Sequence, residues 1–527
     1  MKKVLFICLT LCVALSLLLS ACAKTDDLKV GYDMDGGGRY SYPYYNKDYA
    51  NTVSDGVMSE SAAIYPFDYD GSNYTKIAEN ESVKTSEKSD IYVSLDNNTA
   101  SYTNVRGAIN RMKNGDNYTT IYPDSVRVEE MLNYFSYDYP SPEDEDFSFT
   151  YSLFDAPYKK DVKLLTIGLK AKEVQTSDVP NNIVLLIDVS GSMYGADRLG
   201  LIQEGFKLIA ENLKPQDRVS IVTYASGVRC ALDGAMGDEG NKIRAVIEDL
   251  EAMGSTNGEG GIELAYEIAQ KHFIQGGNNR VILATDGDFN IGKATADELT
   301  NLISGKRDSG IYLSVIGVGY GNLQSDMMEA LALNGNGNWS YLDSVNEARK
   351  FLVEEFGGNF FVLAKDAKLK IDFNAETVEE YRLIGYENKQ MSQEEFEDES
   401  KDAGEIGSGH SVTAVFEVKL KENFEEDKIA QAVLHYKNTS DESKELVSDI
   451  EFSQVARSDD ELSVRDKFIA SIVEFALLIR NSEYKGDASL SEIIELLKDV
   501  KNGDNEYYKD FYNLVETYAS VVDASKE

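Results

Sequence analysis

Positive charge is scarce in this chain of 527 residues: 52 Lys and Arg stand against 91 Asp and Glu, for a formal net charge of −39. A field of that sign repels phosphate backbones and anionic head groups, which excludes nucleic acid as a partner. Cations, and ligands that reach the surface through a bound cation, remain compatible with it. Histidine is scarcer still, with three in all. His272 falls in a predicted helix, His410 in a loop and His435 in a β segment, without paired spacing, so each reads as a structural or surface residue. No G-x-S-x-G elbow, no recognisable triad and no P-loop Gly-Lys-Ser/Thr is present, so the usual hydrolase and nucleotide sites lack their parts. Of four cysteines, Cys8 and Cys12 lie in an N-terminal apolar run and Cys22 at its end, which leaves Cys230. No disulfide forms beyond that run, and stability there rests on core packing or bound metal. Cys230, on an apolar strand, is expected to be buried and inert, and Trp339, the only Trp, to sit in a core. With 42% hydrophobic and 10% aromatic residues, the chain is globular and long enough for several domains.

Lys2 and Lys3 precede an apolar run, Val4 to Leu19, that is too short for a stable membrane span and reads as a secretory signal over residues 1–21. It closes on Leu19, Ser20, Ala21 and Cys22, which resembles the lipobox of bacterial lipoproteins. That resemblance implies cleavage before Cys22 and a lipid on its thiol, and so an extracytoplasmic protein anchored to the bacterial cell membrane. Acyl chains contribute about 0.8 kcal/mol per buried methylene, enough for firm anchoring when several are attached. Residues 22–90, rich in Tyr, Gly, Ser, Asp and Asn, read as a flexible tether.

Ordered patterning begins near Ile91. Residues 91–178 combine two helical stretches, Ser101 to Asn110 and Ser125 to Phe135, with alternating strands at Phe147 to Phe154 and Val162 to Leu169. Between 179 and 360, Val- and Ile-rich strands (Ile183 to Ile187, Val219 to Tyr224, Val281 to Thr285, Ile311 to Val318) alternate with amphipathic helices, the last from Glu347 to Glu355. The fold class expected is α/β, a doubly wound, mostly parallel sheet, flanked by a β-rich domain and a C-terminal helical segment. The β-rich stretch is 361–456 and the helical one 457–527. The acidic run Glu394 to Glu405 reads as a solvated loop. One economical arrangement inserts the α/β domain into a β domain built from both flanks.

The strand Ile183 to Ile187 runs into Asp188, Val189, Ser190, Gly191, Ser192 and Met193. Ligand sites of open parallel sheets lie beyond the carboxyl ends of strands, where this D-x-S-x-S stands. A carboxylate and two hydroxyls on one turn are hard oxygen donors suited to Mg²⁺. Two more strand-end loops offer Thr256 and Asp286. DVSGSM, GSTNGEGG and LATDGDFN together resemble the metal-ion-dependent adhesion site of a von Willebrand factor type A domain, with Asp188, Ser190, Ser192, Thr256 and Asp286 matching its five positions. The wider chain resembles the YfbK-like bacterial proteins through TASYTNVR, VRVEEMLNYF, GNGNWSYLD, YRLIGYEN and KDAGEIGSGH. The resemblance implies a non-enzymatic module that binds a protein ligand through Mg²⁺, or Mn²⁺ or Ca²⁺, with an Asp or Glu of the ligand completing the coordination. A scaffold stiffened by the metal and a metal-assisted envelope hydrolase using Asp288 or Glu259 as base are the alternatives, and the latter has no spacing argument behind it.

Overall fold

A strand buried on both faces alternates its side chains between two cores, and the computed structural model of the chain shows this directly. Residues 74–524 are described, apart from 96, 117, 257, 288–295, 308 and 322. The signal segment, Cys22 and residues 22–73 lie outside the described residues. Regular structure begins with β1 (Val83–Lys84) and β2 (Asp90–Ser94), then helices Ala100–Lys113 and Val128–Asn133, then β3 (Phe147–Asp155) and β4 (Lys163–Ala171). The α/β segment carries β5 (Asn181–Asp188), β6 (Arg218–Tyr224), β7 (Val228–Met236), β8 (Asn278–Thr285), β9 (Tyr312–Val318) and β10 (Trp339–Leu342). Next come β11 (Val362–Phe373), β12 (Val378–Ile384), β13 (Gly404–Gly407), β14 (Ser411–Leu420), β15 (Lys428–Lys437) and β16 (Ser443–Glu451). Helices Val464–Ile479, Leu490–Leu496 and Glu506–Ala524 close the described chain.

The α/β sheet has the order β10-β9-β8-β5-β6-β7, parallel throughout except for the β6–β7 pair. Ile183, Leu185 and Ile187 of β5 face a core shared with helix Leu199–Asn212, while Val184 and Leu186 face the opposite core with helix Gly258–Lys271. Each such aliphatic side chain contributes about 1.5–3 kcal/mol on burial. Helix Leu199–Asn212, which follows β5, and helix Ala296–Arg307, which follows β8, pack on opposite sides of the sheet through Phe206 and Ile303. β5 and β8 are neighbours, so a crevice opens beyond their carboxyl ends. Trp339 is 1% exposed on β10, its ring lying over Gly317, where a Cβ would approach it to 2.4 Å.

The flanks form one β unit around that insert. β4 pairs with β14 over eight residues, Ser411 to Val418 against Lys170 to Lys163. The resulting sheet has the order β1-β12-β14-β4-β3. A second sheet, β13-β11-β15-β16 with β2 against β11, packs on it. Leu165, Ile167 and Leu169 of β4 and Phe416 of β14 meet Leu369, Ile371 and Leu434 in the sandwich core. Leu164 and Val415 point the other way, into a core with Phe468, Phe475 and Phe511 of the C-terminal helices. Stretches 91–178 and 361–456, far apart in sequence, thus share their sheets, and residues 67–527 form one compact unit.

Several expectations are corrected. The tether ends earlier than residue 90: Asn80 donates to Leu383 and Gly385 carbonyls, Thr85 to Val378, and β1 pairs with β12. The acidic run is not one solvated loop. Ser392 and Glu395 cap a short helix, Gln393–Glu397, Phe396 stacks on His435, and Glu405 is 4% exposed in β13. Apolar Phe396, Ala403 and Ile406 anchor the run at two points, while residues 397–401 stay exposed. Cys230 is only half-buried, because it lies on β7, the edge of the sheet. The helix expected at Glu347 to Glu355 is broken: an α-turn at Val345–Arg349 widens to π geometry over Lys350–Glu354, then resumes at Phe356–Phe360. Arg106 pairs with Asp343 and Glu347 at its start, and Lys350 donates to the Tyr134 carbonyl. Helix Glu506–Ala524, which carries the Phe511 contact, falls within the helical stretch expected at 457–527.

Candidate metal centre

β5 delivers Asp188 to the crevice, fully buried at the strand's last residue. Its Oδ1 accepts the Ser190 backbone N–H at 2.8 Å, which folds the chain back into a turn of 3-10 geometry at Gly191–Met193. The turn sets the Ser190 and Ser192 hydroxyl oxygens 3.0 Å apart. The loop holding Thr256 is fastened to it: Met253 N–H donates to Val189 O at 2.8 Å and Gly191 N–H to Gly254 O at 2.9 Å. Gly254 has φ +85°, and a Cβ there would fall 2.5 Å from Ser226 Oγ, so glycine is required for this closure. Thr256 itself is half-buried two residues further on; among the described residues no hydrogen bond joins its hydroxyl to Ser190 or Ser192.

β8 delivers the second carboxylate. Thr285 donates to Asp188 Oδ2 at 3.2 Å, and Asp286, 1% exposed, lies close enough for its charge to act on Asp188. Burial pushes the Asp188 carboxyl up to about 6, with hydrogen bonds from Ser190 and Thr285 opposing the rise and the Asp286 charge adding to it. Burial likewise pushes the neighbouring Tyr224 hydroxyl far up, helped by Asp188. Two adjacent buried carboxylates attract a cation, and every side-chain donor the crevice gathers is a hard oxygen, so the residues fit Mg²⁺ or a similar ion. Asp188, Asp286, Ser190 and Ser192 are brought together; Thr256 is placed through its loop.

Arg198 is a site residue that sequence reading missed. Its Nη1 donates to Asp286 Oδ2 at 3.1 Å and to Ser192 O at 2.5 Å, and its Nη2 to Tyr320 O at 2.7 Å. A lone cation six residues past Ser192 reads in sequence as a helix start, which it also is. The histidines lie elsewhere: His272 pairs with Asp233, His435 with Glu445, and His410 meets Asn97. Of the bases considered for hydrolysis, Asp288 lies outside the described residues and Glu259 sits in the first turn of helix Gly258–Lys271. Among the described residues no group of three or more His, Cys, Asp or Glu gathers to hold a metal. The candidate centre therefore depends on its hydroxyls.

The rim of the crevice is apolar in places. Tyr194, directly after the DVSGSM turn, is 84% exposed, and Met253, on the loop bonded to Val189, is 61% exposed. Both side chains stand open to solvent beside the polar cluster.

Comparison with known proteins agrees with this layout. Family models match in three places: von Willebrand factor over residues 68–166, von Willebrand factor type A domain over 183–288, and the C-terminal part of uncharacterized protein YfbK over 358–521. Uncharacterized protein YfbK of Escherichia coli strain K12 is 38% identical over 457 residues, covering 82% of this chain and 78% of that one. Human inter-alpha-trypsin inhibitor heavy chain H4 is 26% identical over 167 residues, 30% of this chain and 18% of that one. Among solved structures, von Willebrand factor type A from Catenulispora acidiphila superposes with a TM-score of 0.41 at 16% identity, covering 69% of this chain and 88% of that one. Domains of this type are often metal-dependent protein-interaction modules. The chain belongs to the YfbK family, and in it a von Willebrand factor type A domain precedes the YfbK C-terminal domain.

Proposed function

We propose that the protein binds a protein partner through a divalent cation held by Asp188, Ser190, Ser192, Thr256 and Asp286, with an Asp or Glu of the partner completing the coordination. The observation that carries this reading is the convergence of two buried carboxylates with two hydroxyls 3.0 Å apart at the carboxyl ends of β5 and β8. When bound, the cation supplies a Lewis-acidic point of attachment for one anionic group. The neutral hydroxyls leave much of its charge for that group. Asp188 keeps Ser190 in place through its backbone N–H, Gly254 holds the Thr256 loop against the turn, and Tyr194 and Met253 offer the apolar area that a peptide, rather than a small anion, would cover. Mg²⁺ suits the oxygen donors, and Mn²⁺ or Ca²⁺ are hard alternatives. The lipid proposed on Cys22 would anchor the protein to the bacterial cell membrane on its extracytoplasmic side.

The test is capture of partners from native cell envelope with and without EDTA, by wild type and by Asp188→Ala. Binding that disappears with EDTA and in the variant supports adhesion through the cation. Equal capture after metal stripping rejects it and favours a scaffold in which the metal only stiffens the loops. Turnover of an envelope polymer that is lost in Asp188→Ala would instead make the protein a hydrolase.

A further inference from the structure

Arg198 is fixed beside the candidate cation as firmly as the donors themselves. Three oxygens hold its guanidinium: the Asp286 carboxylate at 3.1 Å and the carbonyls of Ser192 at 2.5 Å and Tyr320 at 2.7 Å. Its stem crosses Gly319, at φ +75°, where a Cβ would stand 2.5 Å from Arg198 Nε and 2.7 Å from its Cγ. Glycine at 319 therefore opens the passage the side chain uses. The loop that offers the Tyr320 carbonyl is braced from the flank, since the Arg111 guanidinium of helix Ala100–Lys113 stacks 3.8 Å over the Tyr320 ring. The side chain of Arg198 is 20% exposed and that of Asp286 not at all. Three hydrogen bonds to three separate segments make this a built position rather than a surface ion pair.

We propose that Arg198 sets the affinity of the site for its divalent cation and, with it, for the anionic group the cation attracts. This role presupposes the cation reading above. Asp188 and Asp286 bring two negative charges to the crevice, and Arg198 neutralises one of them. A divalent ion added to that set leaves a net positive charge, whereas without Arg198 the loaded site would be neutral. The guanidinium therefore opposes entry of the metal and strengthens the pull of the loaded site on a carboxylate. It also restrains Asp286 Oδ2 and the Ser192 carbonyl, so the donors do not swing apart under carboxylate repulsion when no metal is bound. The expected outcome is a cation that binds weakly alone and more tightly once an acidic ligand arrives, a reciprocal coupling between the two.

Calorimetric titration of the full chain with Mg²⁺ alone, then of the Mg²⁺-saturated chain with acetate, tests this. Arg198→Gln keeps a polar side chain and removes the charge; it should bind Mg²⁺ about tenfold more tightly than wild type and acetate about threefold or more weakly. Arg198→Lys keeps the charge but, without a planar fork, cannot reach all three oxygens, so both affinities should fall between those of wild type and Arg198→Gln. Mg²⁺ affinity unchanged or weakened in Arg198→Gln, with its melting temperature in EDTA matching wild type, overturns the assignment. If Arg198→Gln does not fold, Arg198→Lys decides: a change of about tenfold or more in its Mg²⁺ affinity overturns the charge argument. Failure of the cation reading looks different, since wild type would then take up no Mg²⁺ or Asp188→Ala would take up as much as wild type.

Discussion

Glu417 in the β unit and Asp286 in the α/β insert are both carboxylates withdrawn from water beside an arginine, and they end in opposite situations. Arg382 grips Glu417 at both oxygens, Nε at 3.0 Å and Nη2 at 2.8 Å, across the β12–β14 register. Lys159 adds a second cation at 2.8 Å, Tyr158 donates at 3.0 Å, and the Tyr484 ring covers the guanidinium at 4.0 Å. Those pairings hold the Glu417 carboxyl below its usual range despite the desolvation that opposes them. Asp286 shares one arginine with two backbone carbonyls and has a second buried carboxylate, Asp188, next to it. One site is closed by cations from its own chain, and the other sets two buried carboxylates against a single arginine. Unbalanced buried negative charge at the end of a parallel sheet favours a cation; satisfied charge between two antiparallel strands marks a place where the fold is held.

The difference can be broken at its closed end first. Arg382→Met should cost about 3–5 kcal/mol in urea unfolding, because it leaves Glu417 buried with only Lys159 to balance it. A loss below about 1 kcal/mol would mean that the pair is structurally idle. At the open end, Mg²⁺ at a hundred times its dissociation constant should stabilise wild type by about 2.7 kcal/mol, and Asp188→Ala should show no such gain in a thermal melt.

A third carboxylate sharpens the contrast, since among the described residues no arginine pairs with it. Glu474, fully buried on helix Val464–Ile479, accepts the Ser489 N–H at 3.0 Å, and burial pushes its carboxyl up to about 7. A folded-state value above the unfolded one means stability that is present at low pH and lost as pH rises through about 7. Glu474→Gln should remove that decline and be more stable than wild type at pH 8 by about 1–3 kcal/mol, with little difference at pH 4. Equal pH profiles of stability for the two proteins would count against it. The smallest effect belongs to the rim: Tyr194→Ala should leave stability within about 0.5 kcal/mol of wild type while lowering EDTA-sensitive capture of envelope partners.

The insert was the most legible part of the molecule because its signals are local. Ile183 to Ile187 is a run that only a strand covered on both faces needs, and D-x-S-x-S directly after it forms a single turn, so strand, class and three donors could be read from a dozen residues. Thr256 and Asp286 came through likeness of motif, which gives identity and not distance. Arg198 was invisible as a site residue because its partners, Ser192, Asp286 and Tyr320, are supplied by three loops. In the flanks the difficulty was greater. β4 and β14 alternate as strands should, but nothing in either says that the other is its neighbour across an intervening α/β insert. The edge strand β10 was lost because very short strands carry little periodic signal.

By itself the sequence determined the class of the insert, the chemical nature of the donors and the sign of the field around them, since each follows from residue type and short-range spacing. Only the tertiary structure decided that the two flanks are one sandwich, that Glu405 is buried within an acidic stretch, and that an arginine is fixed against Asp286. The physical reason is that hydrogen bonding between strands and the pairing of buried charge depend on which distant segments meet, and local periodicity carries no record of that meeting.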